Sequence, residues 1–265
     1  MAYQTRLTDW VATHRHDLQL KIREFSWPLG IVEQQPNDFE VTLEFGRRSV
    51  SGRGTDSDET LALEKACAEA VERLACHCDG IGSVGVAVHT NEVSARLNAR
   101  AEYIERFVFR NHLLKNEPIL YHSPIELELA GSQFEGNLFT MASCGGLSCA
   151  LSLISGPGVN LLGLAADVEF GSAVERASHE ALRNYAAFLS APGCFSDATR
   201  NDSDLWCCDF NYIESKIKPL LKIDSQKPQS VQEPVLFYRP VPLPAGTIFA
   251  DCPAVVFQAF EKSAV

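Results

Sequence analysis

The sequence lacks a long apolar run, a secretory leader and an excess of basic residues. No stretch approaches the roughly 18 apolar residues that a membrane span requires, and the amino terminus shows neither an apolar core nor a small-residue cleavage site. The 34 acidic residues outnumber the 23 basic ones, so the net charge is −11. General affinity for a phosphate backbone is therefore not expected. We predict a cytoplasmic protein without nucleic-acid or membrane partners.

The chain also lacks the paired cysteines of a disulfide framework or a zinc site. Nine cysteines are an odd number, which fits a reducing compartment, and the segment CHCD at 76–79 has no second cysteine pair to complete a zinc site. We interpret its thiols as core or half-buried. The chain of 265 residues is 46% hydrophobic and long enough for one sizeable domain. We predict a single domain over residues 1–265, with a helical segment in 1–35 and a surface linker in 222–234.

Strand and helix patterns alternate along the chain. Period-two and short apolar runs predict strands, and apolar residues at helical spacing predict helices. The predicted strands are 39–45, 83–90, 138–144, 147–155, 160–168, 234–239 and 253–260, and the predicted helices are 59–78, 91–114 and 171–189. The glycine-containing segment 46–56 is predicted to be a turn-rich loop. These patterns indicate a mixed α/β fold with largely antiparallel sheets.

The string Glu-x-x-Glu-Arg occurs twice, 33 residues apart, on two of the predicted helices. The copies are Glu69, Glu72 and Arg73, and Glu102, Glu105 and Arg106. Residues three or four apart share a helix face, so each copy brings two carboxylates together. Like charges at this spacing repel unless a cation lies between them or solvent screens them, and both alternatives stay open. Because a solenoid needs at least three units, two copies favour an internally pseudo-symmetric domain.

A third predicted helix carries another polar stripe. Arg176, Glu180 and Asn184 follow one another at four-residue spacing on an otherwise apolar helix. Near the end of the chain, RPVPLP contains Pro240, Pro242 and Pro244. We interpret this segment as a proline-rich edge or loop.

Three segments in order resemble the signatures of the YcaO family. GRGTDSDETLALEKACAEAVERLAC resembles the first signature, and its matching residues are Gly52, Arg53, Gly54, Thr55, Glu69, Glu72 and Arg73. GSVGVAVHTNEVSARLNARAEYIER is similar to the second, through Ser83, Gly85, Ala87, Glu102, Glu105 and Arg106. LLGLAADVEFGSAVERASHEALRN is similar to a later strand and helix: Glu180 matches, and Asn184 stands where glutamine is usual.

The resemblance implies a pseudo-symmetric YcaO-like ATP-binding fold. It implies that Mg²⁺ is held by Glu69, Glu72, Glu102, Glu105 and Glu180, and that ATP is bound by Arg53, Arg73, Ser83, Arg106 and Asn184. The implied activity is ATP-dependent phosphorylation of a peptide backbone amide, which leads to an azoline, a thioamide or an amidine. No catalytic base is evident in the motifs. The implied partners are a peptide or protein substrate and a separate leader-binding or sulfur-delivery protein, and a homodimer is compatible with the resemblance.

Elementary electrostatics agrees with a metal in such a site. A triphosphate and several glutamates are all anionic, so they share a pocket only if divalent cations lie between them. Three positions depart from the signatures: Lys65 replaces serine, Val84 replaces asparagine and Phe107 replaces aspartate. Lys65 precedes Glu69 by four residues and is expected to pair with it, in competition with a metal. These departures motivate an alternative function, a degenerate subunit that binds a partner or peptide without turnover.

Overall fold

The computed structural model describes residues 6–25, 36–125, 133–190, 210–222 and 230–261. The chain divides into two compact units. Unit 1 comprises residues 1–27, 34–103 and 234–265, and unit 2 comprises 28–33 and 104–233. The predicted single domain stays a prediction. None of the helices in the described ranges is long and apolar enough to cross a membrane.

Helices and strands follow one another along both units. In chain order they are α1 (Leu7–Thr13), β1 (Lys21–Glu24), β2 (Asn37–Phe45), β3 (Arg48–Asp56), α2 (Glu59–Asp79), β4 (Val86–His89), α3 (Glu92–Lys115), β5 (Ile119–Ile125), β6 (Glu135–Thr140), β7 (Ser143–Cys144), β8 (Ser148–Gly156), β9 (Val159–Asp167), α4 (Phe170–Ser190), α5 (Phe210–Tyr212), β10 (Leu221–Lys222), β11 (Ser230–Val231), β12 (Leu236–Pro240) and β13 (Val255–Glu261). Helix α3 begins in unit 1 and ends in unit 2.

The sheets are largely antiparallel. Unit 1 contains the three-stranded sheets β1-β2-β3 and β12-β13-β4, in which all neighbours are antiparallel. Unit 2 contains the five-stranded sheet β10-β5-β6-β8-β9, in which only β10 and β5 are parallel, and a short parallel pair of β11 and β7. The predicted mixed α/β class is confirmed.

An alanine face places α2 directly on the sheet of unit 1. Ala62, Ala66 and Ala70 are fully buried at helical spacing. The residues of β3 that face them are glycines. A Cβ atom on Gly52 would lie 2.2 Å from the backbone nitrogen of Ala70 and 2.4 Å from the carbonyl oxygen of Ala66. Only glycine permits this approach. The helix therefore lies close enough for its polar side chains to reach the backbone of β3.

Unit 2 repeats this hairpin and helix at a constant offset along the chain. Strand β2 begins at Asn37 and β8 at Ser148, while α2 begins at Glu59 and α4 at Phe170. The same number of residues therefore separates the two strands and the two helices along the chain. The hairpin registers run from Asn37↔Asp56 to Phe45↔Arg48 and from Ser148↔Asp167 to Gly156↔Val159, with the same displacement at every pair. The close approach recurs too, since a Cβ on Gly163 would lie 2.0 Å from the carbonyl oxygen of Ala177. The module is thus present once in each unit.

The repeated module pairs α2 with α4, whereas the 33-residue spacing of the Glu-x-x-Glu-Arg strings pairs α2 with α3. Helices α2 and α3 are preceded in the chain by different strand arrangements. A long hairpin precedes α2, and the single short strand β4 precedes α3. The 33-residue spacing therefore does not mark a repeated structural element.

Three predicted segments differ from the structure. Segment 46–56 was predicted to be a loop, but most of it is strand β3, because its glycines serve close packing against α2 rather than a turn. Segment 1–35 contains strand β1 as well as the predicted helix. Residues 222–234 include the short strand β11, while 223–229 of this predicted linker lie outside the described residues.

The start of α2 offers a test of local stability. The Asp58 carboxylate accepts a hydrogen bond of 2.9 Å from the backbone N–H of Leu61 and caps the helix. Asp58→Ala is expected to lower the free energy of unfolding by about 1 kcal/mol, measured by urea denaturation. Asp58→Asn keeps the acceptor and serves as the control. Equal losses in both variants would contradict the capping role.

Candidate functional site

Two predicted site residues of helix α2, Glu69 and Arg73, form hydrogen bonds with the outer edge of β3. The Glu69 Oε2 atom accepts from the backbone N–H of Arg53 at 2.6 Å, and its Oε1 atom accepts from Arg73 Nη2 at 2.6 Å. Arg73 Nη1 in turn donates to the carbonyl oxygen of Ser51 at 2.8 Å. Both carboxylate oxygens of Glu69 are therefore engaged inside unit 1.

Lys65 also joins α2 to β3. Its ammonium group donates to Asp56 Oδ2 at 2.7 Å and to the carbonyl oxygen of Thr55 at 3.3 Å. The expectation that Lys65 pairs with Glu69 is wrong, because helical side chains lean toward the helix amino terminus, where Asp56 ends β3. We call Lys65, Glu69 and Arg73 the unit 1 clamp.

The stripe on α4 makes the same contacts with the outer edge of β9. Arg176 Nη1 lies 3.2 Å from both Asp167 Oδ2 and the carbonyl oxygen of Ala166. Glu180 Oε2 accepts from the backbone N–H of Leu164 at 2.8 Å, and Asn184 Nδ2 donates to the carbonyl oxygen of Leu162 at 3.0 Å. Each contact has its counterpart at the equivalent position of the unit 1 module. We call Arg176, Glu180 and Asn184 the unit 2 clamp.

The clamps were not evident from the helix patterns because their partners lie on strands. A sequence signal exists nevertheless. Segments 56–69 and 167–180 share the pattern Asp-x-(Asp/Glu)-x₆-(Lys/Arg)-x₃-Glu. In both, the Asp side chain also accepts from the backbone N–H two residues later, in Asp58 and in Glu169. This shared pattern marks the end of an edge strand and the start of the helix that covers it.

Arg53 is held by a buried carboxylate. Its Nε and Nη2 atoms lie 2.9 Å and 2.5 Å from the two oxygens of Asp38, which is completely buried. The guanidinium group also stacks on Phe25 at 4.3 Å from the ring centroid. A phosphate would have to displace this bidentate pair and leave Asp38 buried without its charge partner, which is costly. The ATP-binding role predicted for Arg53 stays a prediction and would require Arg53 to exchange Asp38 for a phosphate.

Glu105 is the most unusual carboxylate among the predicted ligands. Its side chain is almost fully buried at 6% exposure, and Arg106 Nε lies 3.3 Å from its Oε1 atom. The pKa of Glu105 is raised to about 7: burial is the largest cause, Arg106 lowers the pKa, the negative charge of Glu180 raises it and Arg176 lowers it. Unit 2 therefore brings Glu105 and Glu180 close enough to repel each other.

The remaining predicted residues lie in unit 1. Glu72 and Glu102 are half-buried and both approach the buried thiol of Cys76, whose pKa is raised to about 12, first by burial and then by these carboxylates. This confirms the interpretation of Cys76 as a core thiol. Ser83 is half-buried in the turn before β4, where its carbonyl oxygen accepts from the backbone N–H of Val86.

The donor set fits a metal that arrives with a nucleotide. Among the described side chains, no three His, Cys, Asp or Glu residues form a group that could hold a metal ion by themselves. Mg²⁺ is usually held by one or two carboxylates together with substrate phosphates and water, rather than by an all-protein cage. Two mutually repelling carboxylates, Glu105 and Glu180, match that requirement.

Solved structures with the same fold are heterocyclases and a YcaO protein. The structure superposes on a heterocyclase in complex with substrate and cofactor with a TM-score of 0.65 at 10% identity, covering 96% of this chain. YcaO from Methanopyrus kandleri bound with AMPPCP and Mg²⁺ matches with a TM-score of 0.52 at 11% identity, over 70% of this chain and 67% of that one. The chain has the YcaO fold. The predicted resemblance is thus confirmed for the fold.

A multi-protein complex also contains this YcaO fold. The E. coli microcin synthetase McbBCD complex with pro-MccB17 bound matches with a TM-score of 0.55 at 10% identity, over 91% of this chain and 87% of that one. No family model matches the sequence, and no curated protein matches it. The chain spans about half, 52%, of the length of the first heterocyclase. At these identities the likeness concerns the fold.

Proposed function

We propose that this protein binds ATP with Mg²⁺ and uses it to phosphorylate a backbone amide oxygen of a peptide. A nucleophile then adds to the amide carbon, and phosphate leaves with the former amide oxygen. Among the products, the heterocyclase neighbours favour an azoline over a thioamide or an amidine. The peptide is delivered by a separate leader-binding protein, as the assembly of the McbBCD complex with a bound pro-peptide suggests.

The observation that carries the proposal is a pair of carboxylates in unit 2, the buried Glu105 and the half-buried Glu180. Glu105 is 6% exposed and lies close enough to Glu180 for the two charges to interact, an arrangement that costs free energy whenever both are ionised. Glu105 and Glu180 would each offer an oxygen ligand to a divalent cation, whose charge would relieve the repulsion. Bound Mg²⁺ would neutralise phosphate charge during phosphoryl transfer.

Other residues of the chain would then orient the carboxylates and neutralise the charge of the phosphates. Arg106, beside Glu105, orients that carboxylate and neutralises charge on the phosphates. Within unit 1, Glu72 and Glu102, which approach Cys76, stay proposed as Mg²⁺ ligands, and Ser83 stays proposed as an ATP-binding residue. Three predicted ATP-binding residues already donate hydrogen bonds to oxygen atoms of the protein: Arg53, Arg73 and Asn184. To bind ATP, each would have to exchange this acceptor for one on the nucleotide.

Calorimetry with the non-hydrolysable analogue AMPPCP tests the nucleotide step. We expect binding in the micromolar range when Mg²⁺ is present and at least tenfold weaker binding in EDTA, because the glutamates repel a bare triphosphate. Mg²⁺ titrated without nucleotide should bind weakly, since two carboxylates alone leave its shell incomplete. Equal affinity for AMPPCP with and without Mg²⁺, or no affinity at all, would contradict the proposal.

A second candidate function is a subunit that binds a peptide or partner without turnover. Arg53 is bound by Asp38, and both oxygens of Glu69 accept hydrogen bonds within unit 1. These residues of the first signature therefore stabilise the fold, which favours this second candidate function. Phosphate release or product formation by the purified protein with its peptide and partner would eliminate this candidate. Nucleotide binding without either result would support it.

A further inference from the structure

The two clamps are alike except at their last position. Both begin with a basic residue bound to a strand-end aspartate, and both continue with a glutamate that accepts a backbone N–H. Both end with a side chain that donates to a strand carbonyl. That last residue is Arg73 in unit 1 and Asn184 in unit 2.

This difference changes the charge on the clamp glutamate. Arg73 reaches Glu69 Oε1 at 2.6 Å and neutralises it. Asn184 is neutral, and within the described residues its side chain forms one hydrogen bond, to the Leu162 carbonyl oxygen. Glu180 uses Oε2 for the Leu164 N–H, and within the described residues no lysine or arginine forms an ion pair with it. Within the described residues, Glu180 therefore has no counterpart of the Arg73–Glu69 ion pair, and one of its oxygens is not used by the clamp.

We propose that the residue four positions after the clamp glutamate decides which copy of the module can ligate a divalent cation. Arg73 makes the unit 1 copy a purely structural clamp, whereas Asn184 is a positioning residue that anchors α4 to β9 and leaves Glu180 able to bind the ion. The inference rests on the proposed function. It goes further by assigning the cation to one of two equivalent glutamates and naming the determinant.

Replacement of Asn184 by the unit 1 residue tests the assignment. Binding of Mn²⁺ in the presence of ATP is followed by the loss of the free Mn²⁺ signal in electron paramagnetic resonance, using the full chain. Asn184→Arg is expected to weaken binding about tenfold, because a guanidinium four residues after Glu180 pairs with it as Arg73 pairs with Glu69. Asn184→Gln retains the amide donor without the charge and should bind Mn²⁺ within about twofold of the wild type.

Two further variants separate charge from structural damage. Asn184→Lys supplies a smaller cation at the same place and should also weaken binding, while Lys65→Gln removes a contact of the unit 1 clamp and should not. Circular dichroism confirms the fold of each variant. Wild-type Mn²⁺ affinity in folded Asn184→Arg and Asn184→Lys would overturn this inference alone, as would equal loss in Asn184→Gln. No Mn²⁺ binding by the wild type would overturn the proposed function and this inference together.

Discussion

Glu180→Gln is expected to weaken Mg²⁺-dependent AMPPCP binding far more than Glu69→Gln does. The two glutamates occupy equivalent positions in the two modules and accept equivalent backbone N–H groups. Glutamine keeps an acceptor oxygen for that bond and removes only the charge. At Glu180 the lost charge is a cation ligand, so we expect a loss of about a hundredfold, or about 2.7 kcal/mol. At Glu69 the charge is already neutralised by Arg73, so we expect less than a threefold change.

Each of these variants is the other's control. Both remove one carboxylate from a clamp on an edge strand, so nonspecific loosening of a clamp would affect both similarly. Thermal unfolding of the two proteins shows whether the structural costs match. Comparable losses of AMPPCP affinity in both variants would instead support the five-glutamate Mg²⁺ site that the sequence resemblance implies.

The helices and most strands were predictable because their apolar residues recur at regular spacing. Helices α2 and α4 were predictable because alanines recur along them at helical spacing, and these alanines are buried in the structure. Strand β3 was not predictable in this way. Its Gly52 and Gly54 have the sequence character of a turn, and only the close approach of α2, a tertiary contact, explains why a strand contains them.

The candidate site was predictable as a set of residues but not as a set of pairs. Helical spacing groups Glu102 with Glu105. In the structure Glu105 instead approaches Glu180, while Glu102 approaches Cys76. Spacing along one helix determines which residues share a face, and packing between elements determines which carboxylates meet.

The roles of the clamp residues were hidden for a related reason. Glu69 and Glu180 each bond to a backbone N–H 16 residues earlier in the chain, a separation with no periodic signature. The two charged Glu-x-x-Glu-Arg strings were more conspicuous than the weaker repeat that relates the two hairpin and helix modules. That repeat became interpretable only when the hairpins showed identical registers.

The burial of Glu105 predicts an unusual dependence of stability on pH. The pKa of this carboxyl is raised from its ordinary value of 4.5 to about 7 by burial and by Glu180. The folded state therefore binds the proton more tightly than the unfolded state does, so this group's contribution to stability is full below pH 4.5 and is lost as the pH rises through 7. Glu105→Gln removes the penalty that ionisation imposes.

Without cation or nucleotide, Glu105→Gln should therefore stabilise the protein more at pH 8 than at pH 5, by roughly 2 to 3 kcal/mol. Urea denaturation in EDTA at the two pH values measures this difference. Glu92→Gln, on the exposed part of the same helix, is the control and should show none. The same ionised carboxylate that destabilises the free protein is the one that a cation requires, so Mg²⁺ with AMPPCP should stabilise the wild type at pH 8 and fail to stabilise Glu105→Gln. A stability difference that does not vary with pH would show that Glu105 is not held in the buried, repelled state on which the cation site depends.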